Sequence, residues 1–257
     1  MLRLARSPPS FVLAVLTLTG CFPAPLPMRA VQTDHRLAGT ARCLVVLLPG
    51  IGDSADSFED EGFGETLRAS GLAIDVVAAD ATLGYYLKDL MPARMHRDVM
   101  APARARRRYE QTWVMGVSFG GFGTFMTARD YASEVDGVFA MAPYLGRDEV
   151  LDSIRAAGSL QAWNAPAPAK TNSENYDWQV WRFLQTATSG RAKAPELHLG
   201  WGKDDRLGEA DRLLAAALPE QNVYSAPGGH DWKTWNGLLA QFLKRGPLAR
   251  ACRAPAG

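Results

Sequence analysis

Short apolar runs recur along the chain, at residues 43–48, 73–79, 112–116, 137–141, 196–200 and 222–225, bounded by Gly, Pro or Asp. A run of consecutive Val, Leu and Ala projects apolar side chains to both faces of a strand, so both faces need cover. Helical patterns supply that cover in the gaps, near residues 54–69, 85–99, 119–132, 206–218 and 232–243. Together they predict an α/β fold with a mostly parallel central sheet of about six to seven strands and helices on both faces. One stretch, 144–191, separates two strands by more than a crossover needs and holds Trp163, Trp178 and Trp181. It reads as a helical cap inserted over the strand ends, within a domain spanning 41–250.

The amino terminus carries a different signal. Arg3 and Arg6 precede the apolar run Phe11-Val12-Leu13-Ala14-Val15-Leu16, which is too short to span a bilayer. This is the layout of a secretory signal over residues 1–20. Leu18-Thr19-Gly20-Cys21 resembles a bacterial lipobox, which implies cleavage before Cys21 and a diacylglycerol on its sulfur. The expected location is therefore the bacterial cell envelope, with the protein lipid-anchored on the periplasmic side or at the cell surface. Residues 21–40 read as a tether, since Pro23, Pro25 and Pro27 favour extended backbone.

Removing residues 1–20 takes away two positive charges and no negative one, moving the formal charge from +1 to −1. That balance excludes a polybasic nucleic-acid binder and gives no electrostatic pull toward anionic lipid. The arginines at 104, 106, 107 and 108 then read as a solvated helix end. With Cys21 lipidated, Cys43 and Cys252 remain, either as free thiols or as a disulfide in an oxidising compartment.

Three segments carry chemistry, each at a strand end. Gly116-Val117-Ser118-Phe119-Gly120 follows an apolar run and precedes a helical one, the context a nucleophilic serine at a sharp strand-to-helix turn requires. Serine needs a base held by a carboxylate. His35, His96 and His198 lie before the core, in a basic helix and inside a strand, whereas His230 follows a strand in the loop Pro227-Gly228-Gly229-His230. For the acid, Asp205 is favoured over its neighbour Asp204, with Asp148 a weaker third. The amides of Phe119 and of Ile51, in Pro49-Gly50-Ile51-Gly52-Asp53, are the expected oxyanion donors.

These segments resemble the α/β-hydrolase superfamily over residues 41–245. The run from Gly228 to Trp235 is similar to the histidine loop of esterase-D and enterochelin-esterase-like members. Pro49 stands where related carboxylesterases usually carry His, and the short amino terminus leaves little chain for the two leading strands of the full fold. The resemblance implies a serine hydrolase of small-molecule carboxylic esters or thioesters, with no metal or organic cofactor and no nucleic-acid partner. The same residues also fit a peptidase, an acyltransferase, or an envelope lipoprotein using the fold as a binding scaffold. Oligomeric state leaves no mark in the sequence.

Overall fold

The computed structural model describes residues 22–33, 41–166, 172–191 and 193–253. Seven strands form one sheet: β1 Ala30–Thr33, β2 Cys43–Leu48, β3 Ile74–Ala79, β4 Gln111–Val117, β5 Gly137–Met141, β6 Glu196–Gly202 and β7 Val223–Ala226. Their order is β1-β3-β2-β4-β5-β6-β7, with β1 antiparallel at the edge and every other pair parallel. The result is the expected α/β-hydrolase sheet.

Strand β2 shows why its run is apolar throughout. Cys43, Val45 and Leu47 enter one core, with Phe63, Trp113, Phe139 and Phe242. Leu44, Val46 and Leu48 enter the other, with Tyr85, Val114, Phe125 and Trp181. Successive side chains point to opposite faces, so a strand sandwiched between two helical layers has no polar side.

The register aligns the carboxyl ends. Leu48 pairs with Gly116, Val117 with Met141, Met141 with Gly200, and Gly202 with Ala226. The loops after β2, β4, β6 and β7 therefore emerge along one edge, where open α/β sheets hold ligands.

Several expectations are revised. Residues 22–33 are no free tether: Met28 is buried, its amide donates to Asp98 at 2.8 Å, and Ala30–Thr33 adds an edge strand. Among the described residues, that strand supplies one of the two leading strands. The helix expected over 54–69 is two, Ser57–Asp60 and Phe63–Ala69, because Gly62 takes a positive φ between them. The helix expected over 85–99 is interrupted after Leu83–Leu87, where Asp89 has φ 58°, and resumes as Met91–Arg106 with a π-helical stretch, Met95–Met100. Pro102 lies just past that stretch, lacks an amide hydrogen and crowds the preceding turn, which accounts for the widened winding.

The insertion after β5 lines a cavity at the strand ends and also packs into the body. Its helices Asp148–Ala156 and Tyr176–Thr188 bury Val150, Ile154, Val180, Trp181 and Leu184 in the same core as β2. Trp181 donates its indole hydrogen to the Leu145 carbonyl at 2.7 Å, and Trp163 stacks on Trp178. These tryptophans are packing residues. Arg104, Arg106 and Arg107 meet Glu134, Gln32 and Asp75.

A disulfide joins Cys43, the first residue of β2, to Cys252 near the carboxyl end. Both are fully buried. The signal segment, Cys21 and His35 lie outside the described residues. Among those described, no helix is long and apolar enough to cross a membrane.

Candidate active site

Ser118 occupies the turn between β4 and the helix Phe119–Asp130, with φ 53° and ψ −120°. A non-glycine residue holds that conformation only where its surroundings enforce it. Here the Ser118 amide donates to the Met141 carbonyl at 2.9 Å, and its carbonyl accepts from Tyr144 and Gly121, both at 3.0 Å. The two motif glycines are needed for close approach. A Cβ at Gly120 would overlap the Leu48 carbonyl, and one at Gly116 would overlap the Gly120 carbonyl.

His230 starts from the far side of the sheet. Strand β7 lies three strand spacings from β4, about 14 Å, so the 227–231 loop has to fold back over β6 and β5. It is steered there by the acid-bearing loop. The Lys203 amide donates to the Ala226 carbonyl at 2.9 Å and the Asp204 amide to the Gly228 carbonyl at 3.0 Å. Gly202 lets the loops touch, since a Cβ there would overlap that same Gly228 carbonyl.

This convergence puts His230 Nε2 2.8 Å from Ser118 Oγ. On its other side, Nδ1 lies 2.9 Å from Asp205 Oδ2 and 3.1 Å from Oδ1. The Asp205 carboxylate is fully shielded from solvent and also accepts from the Leu207 amide at 2.8 Å. Trp235 packs edge-on against the imidazole with ring centroids 5.1 Å apart. Asp204 is exposed and meets the histidine loop only through its backbone. Asp148 opens an exposed helix turn and makes no contact with His230. The other described histidines are occupied elsewhere: His96 on Glu134 and stacked on Tyr131, His198 buried on Glu196.

The expected oxyanion donors flank Ser118. Phe119 opens its helix, where an amide has no intrahelical acceptor. The Ile51 amide has no acceptor among the described residues, and its loop abuts the serine: a Cβ on Gly50 would lie 3.4 Å from Ser118 Cβ. The Trp232 side chain hydrogen-bonds Asp53, joining this loop to the histidine loop. Burial raises the Asp53 carboxyl, and the Trp232 bond offsets part of that rise. Asp231 caps the helix Trp232–Arg245 by accepting from the Thr234 amide at 2.9 Å, the main reason its carboxyl is lowered.

Beside the serine lies a cavity of about 170 Å³ lined by Tyr86, Phe119, Phe122, Tyr144 and Tyr176, with Asp177 at its edge. Asp177 is neutralised by Arg147, at 2.8 Å from Nε and 3.0 Å from the second guanidinium contact. Reading along the chain did not reveal two further neighbours. Tyr144 reaches Ser118 through its backbone, and Asp211 sits close behind Asp205, fully buried, with no partner for either oxygen. Neither carries a sequence signal, because both owe their position to chain folding back from elsewhere. Among the described residues, no cluster of His, Cys, Asp and Glu is arranged to hold a metal ion.

The chain is similar to several known proteins. An acetyl esterase of Caldicellulosiruptor saccharolyticus is 23% identical over 146 residues, 54% of this chain and 55% of that protein. The chain thus spans about half the length of the curated relative it matches. A ferulic acid esterase structure superposes with TM-score 0.59 at 14% identity, over 87% of this chain and 98% of that one. The fluorophosphonate-binding serine hydrolase F of Staphylococcus aureus gives 0.58 at 12% identity, over 85% and 98%. At such identities the likeness is one of fold. The family described as "Putative esterase" matches residues 85–245, more than half of the chain, and the chain belongs to that family.

Proposed function

We propose that the protein is a serine hydrolase of carboxylic esters, lipid-anchored through Cys21 in the bacterial envelope. The observation that carries the chemistry is the unbroken relay from buried Asp205 through His230 to Ser118, with contacts of 2.9 and 2.8 Å. In this reading Ser118 Oγ attacks the acyl carbon as its proton passes to His230 Nε2, while Asp205 fixes the ring and stabilises the imidazolium. The amides of Phe119 and Ile51 hold the tetrahedral oxyanion. Collapse expels the alcohol, which takes the proton from His230. Water then attacks the acyl-serine, gives its proton to His230, and the acid leaves as Ser118 recovers its hydrogen.

The aromatic cavity sets the size of the acyl group. An apolar cavity of about 150 Å³ accommodates benzene, so about 170 Å³ seats a short acyl chain or a single ring. The name of the acetyl esterase relative agrees with a small acyl group. Export to an oxidising compartment is supported by the Cys43–Cys252 disulfide.

The decisive experiment combines a fluorophosphonate probe with hydrolysis of p-nitrophenyl acetate. Wild type should be labelled at Ser118, and Ser118→Ala should lose labelling together with about 10⁴-fold or more of kcat. A folded Ser118→Ala protein hydrolysing at the wild-type rate would refute the assignment. Wild type that neither labels nor hydrolyses would favour a binding scaffold.

A further inference from the structure

The large apolar side chains left exposed among the described residues are Leu26 at 55%, Ile51 at 60% and Leu87 at 40%. They share one edge of the molecule. Ile51 lies in the loop leaving the carboxyl end of β2, next to Gly50, which abuts Ser118. Leu87 ends the helix that follows β3, the parallel neighbour of β2, and lines the aromatic cavity. Leu26 precedes β1, whose first residue Ala30 pairs with Ala79, the last residue of β3. Ile51 and Leu87 thus follow the carboxyl ends of β2 and β3. Leu26 lies before the amino end of antiparallel β1, which meets the carboxyl end of β3, so all three stand on the sheet edge that carries the candidate site.

The segment leading to the anchor is fastened to that same rim. Thr82 Oγ1 donates to the Pro23 carbonyl at 3.0 Å, and the Tyr85 hydroxyl donates to the Pro25 carbonyl. Gly84 packs directly on the carbonyls of Phe22 and Pro23, where a Cβ would overlap both. Phe22, the residue after Cys21 in the sequence, thus touches the helix that ends in Leu87. A lipid attached one residue before this fastened segment would limit which face of the domain meets the bilayer. Arg29, just before β1, has its charge matched by Asp56 and Asp80, at 2.8 and 3.0 Å.

We infer that the edge bearing Leu26, Ile51 and Leu87 lies against the membrane holding the anchor, so that the site opens at the lipid–water interface. The substrate class that follows is an ester of a small acyl group with an apolar, membrane-held alcohol. The acyl group enters the aromatic cavity and the alcohol returns to the bilayer after hydrolysis. This rests on the hydrolase and lipid-anchor readings above.

The test compares the mature lipidated protein in phosphatidylcholine vesicles with a form carrying about twenty Gly/Ser residues between Cys21 and Phe22. Such a spacer has a root-mean-square reach of about 25 Å and frees the domain to tumble. With the edge taken as about a tenth of the surface, the share a standard interface occupies on a small protein, it then faces the membrane about a tenth of the time. The readout is the rate on a dialkylglycerol acetate in the vesicles divided by the rate on p-nitrophenyl acetate in water. The spacer should lower that ratio about tenfold without changing the soluble rate, and Leu26→Asp should lower it in the same direction. An unchanged ratio in both variants overturns the orientation. Mass analysis showing an unmodified Cys21 overturns the anchor, and absence of p-nitrophenyl acetate hydrolysis in every form overturns the hydrolase reading, so the three failures are told apart.

Discussion

Asp205 and Asp204 are adjacent in sequence, and the structure assigns them opposite surroundings, which makes their comparison a sharp test. In Asp205→Asn the side chain keeps its size and can still accept from the Leu207 amide, now 2.8 Å from Oδ1. It loses the charge that faces His230 Nδ1 at 2.9 Å. The amide permits the wrong imidazole tautomer and no longer stabilises the imidazolium, the situation that costs about 10⁴-fold in kcat in a serine protease. That factor is about 5.4 kcal/mol of transition-state stabilisation at 1.36 kcal/mol per decade. Asp204→Asn changes an exposed side chain whose only tie to the histidine loop is its backbone amide, so kcat/KM should stay within about twofold, and stability within about 0.5 kcal/mol. Steady-state hydrolysis of p-nitrophenyl acetate, with urea unfolding to verify both folds, reads the contrast. Equal losses in the two variants, or Asp205→Asn retaining more than a tenth of wild-type kcat, would refute the reasoning.

Three further outcomes follow from packing and charge. The Cys43–Cys252 bridge closes a sequence separation of 209 residues, for which the chain-entropy relation gives a ceiling of about 5 kcal/mol. A Cys43→Ala/Cys252→Ala double variant should unfold at markedly lower urea yet keep its turnover when folded, because the bridge lies at the opposite end of β2 from Gly50. Burial, then the nearby Asp205 charge, raises the Asp211 carboxyl well above its ordinary 3.8. The folded state therefore keeps a proton that the unfolded state gives up, and stability should fall as pH rises above about 4, by up to about 1.4 kcal/mol per pH unit until the raised value is passed. Asp211→Asn removes that slope, so its advantage in urea unfolding should be larger at pH 8 than at pH 5. Phe122 walls the aromatic cavity, so wild-type kcat/KM should drop for p-nitrophenyl esters beyond about six acyl carbons, and Phe122→Ala should shift the drop to longer chains.

Much of this protein is written locally. The double-faced apolar character of residues 43–48 announced a covered, parallel strand, because side chains alternate with a period of two whatever the partner. The Gly116 to Gly120 turn announced a serine in a strained conformation, since small residues there answer to crowding that any strand-to-helix elbow creates. His230 stood out by elimination among four histidines.

What the sequence alone left open depends on chain segments far apart meeting in space. Burial separates Asp205 from Asp204, and the folding back of the β7 loop over two strands decides which carboxylate the imidazole finds. Two cysteines 209 residues apart meet because β2 and the carboxyl-terminal segment share one core. The proline-rich segment after Cys21 has the composition of a tether, yet it is packed. Its hydrogen-bonding partners, Thr82 and Tyr85, lie some sixty residues away, and composition reports only how a segment behaves when nothing is there to hold it.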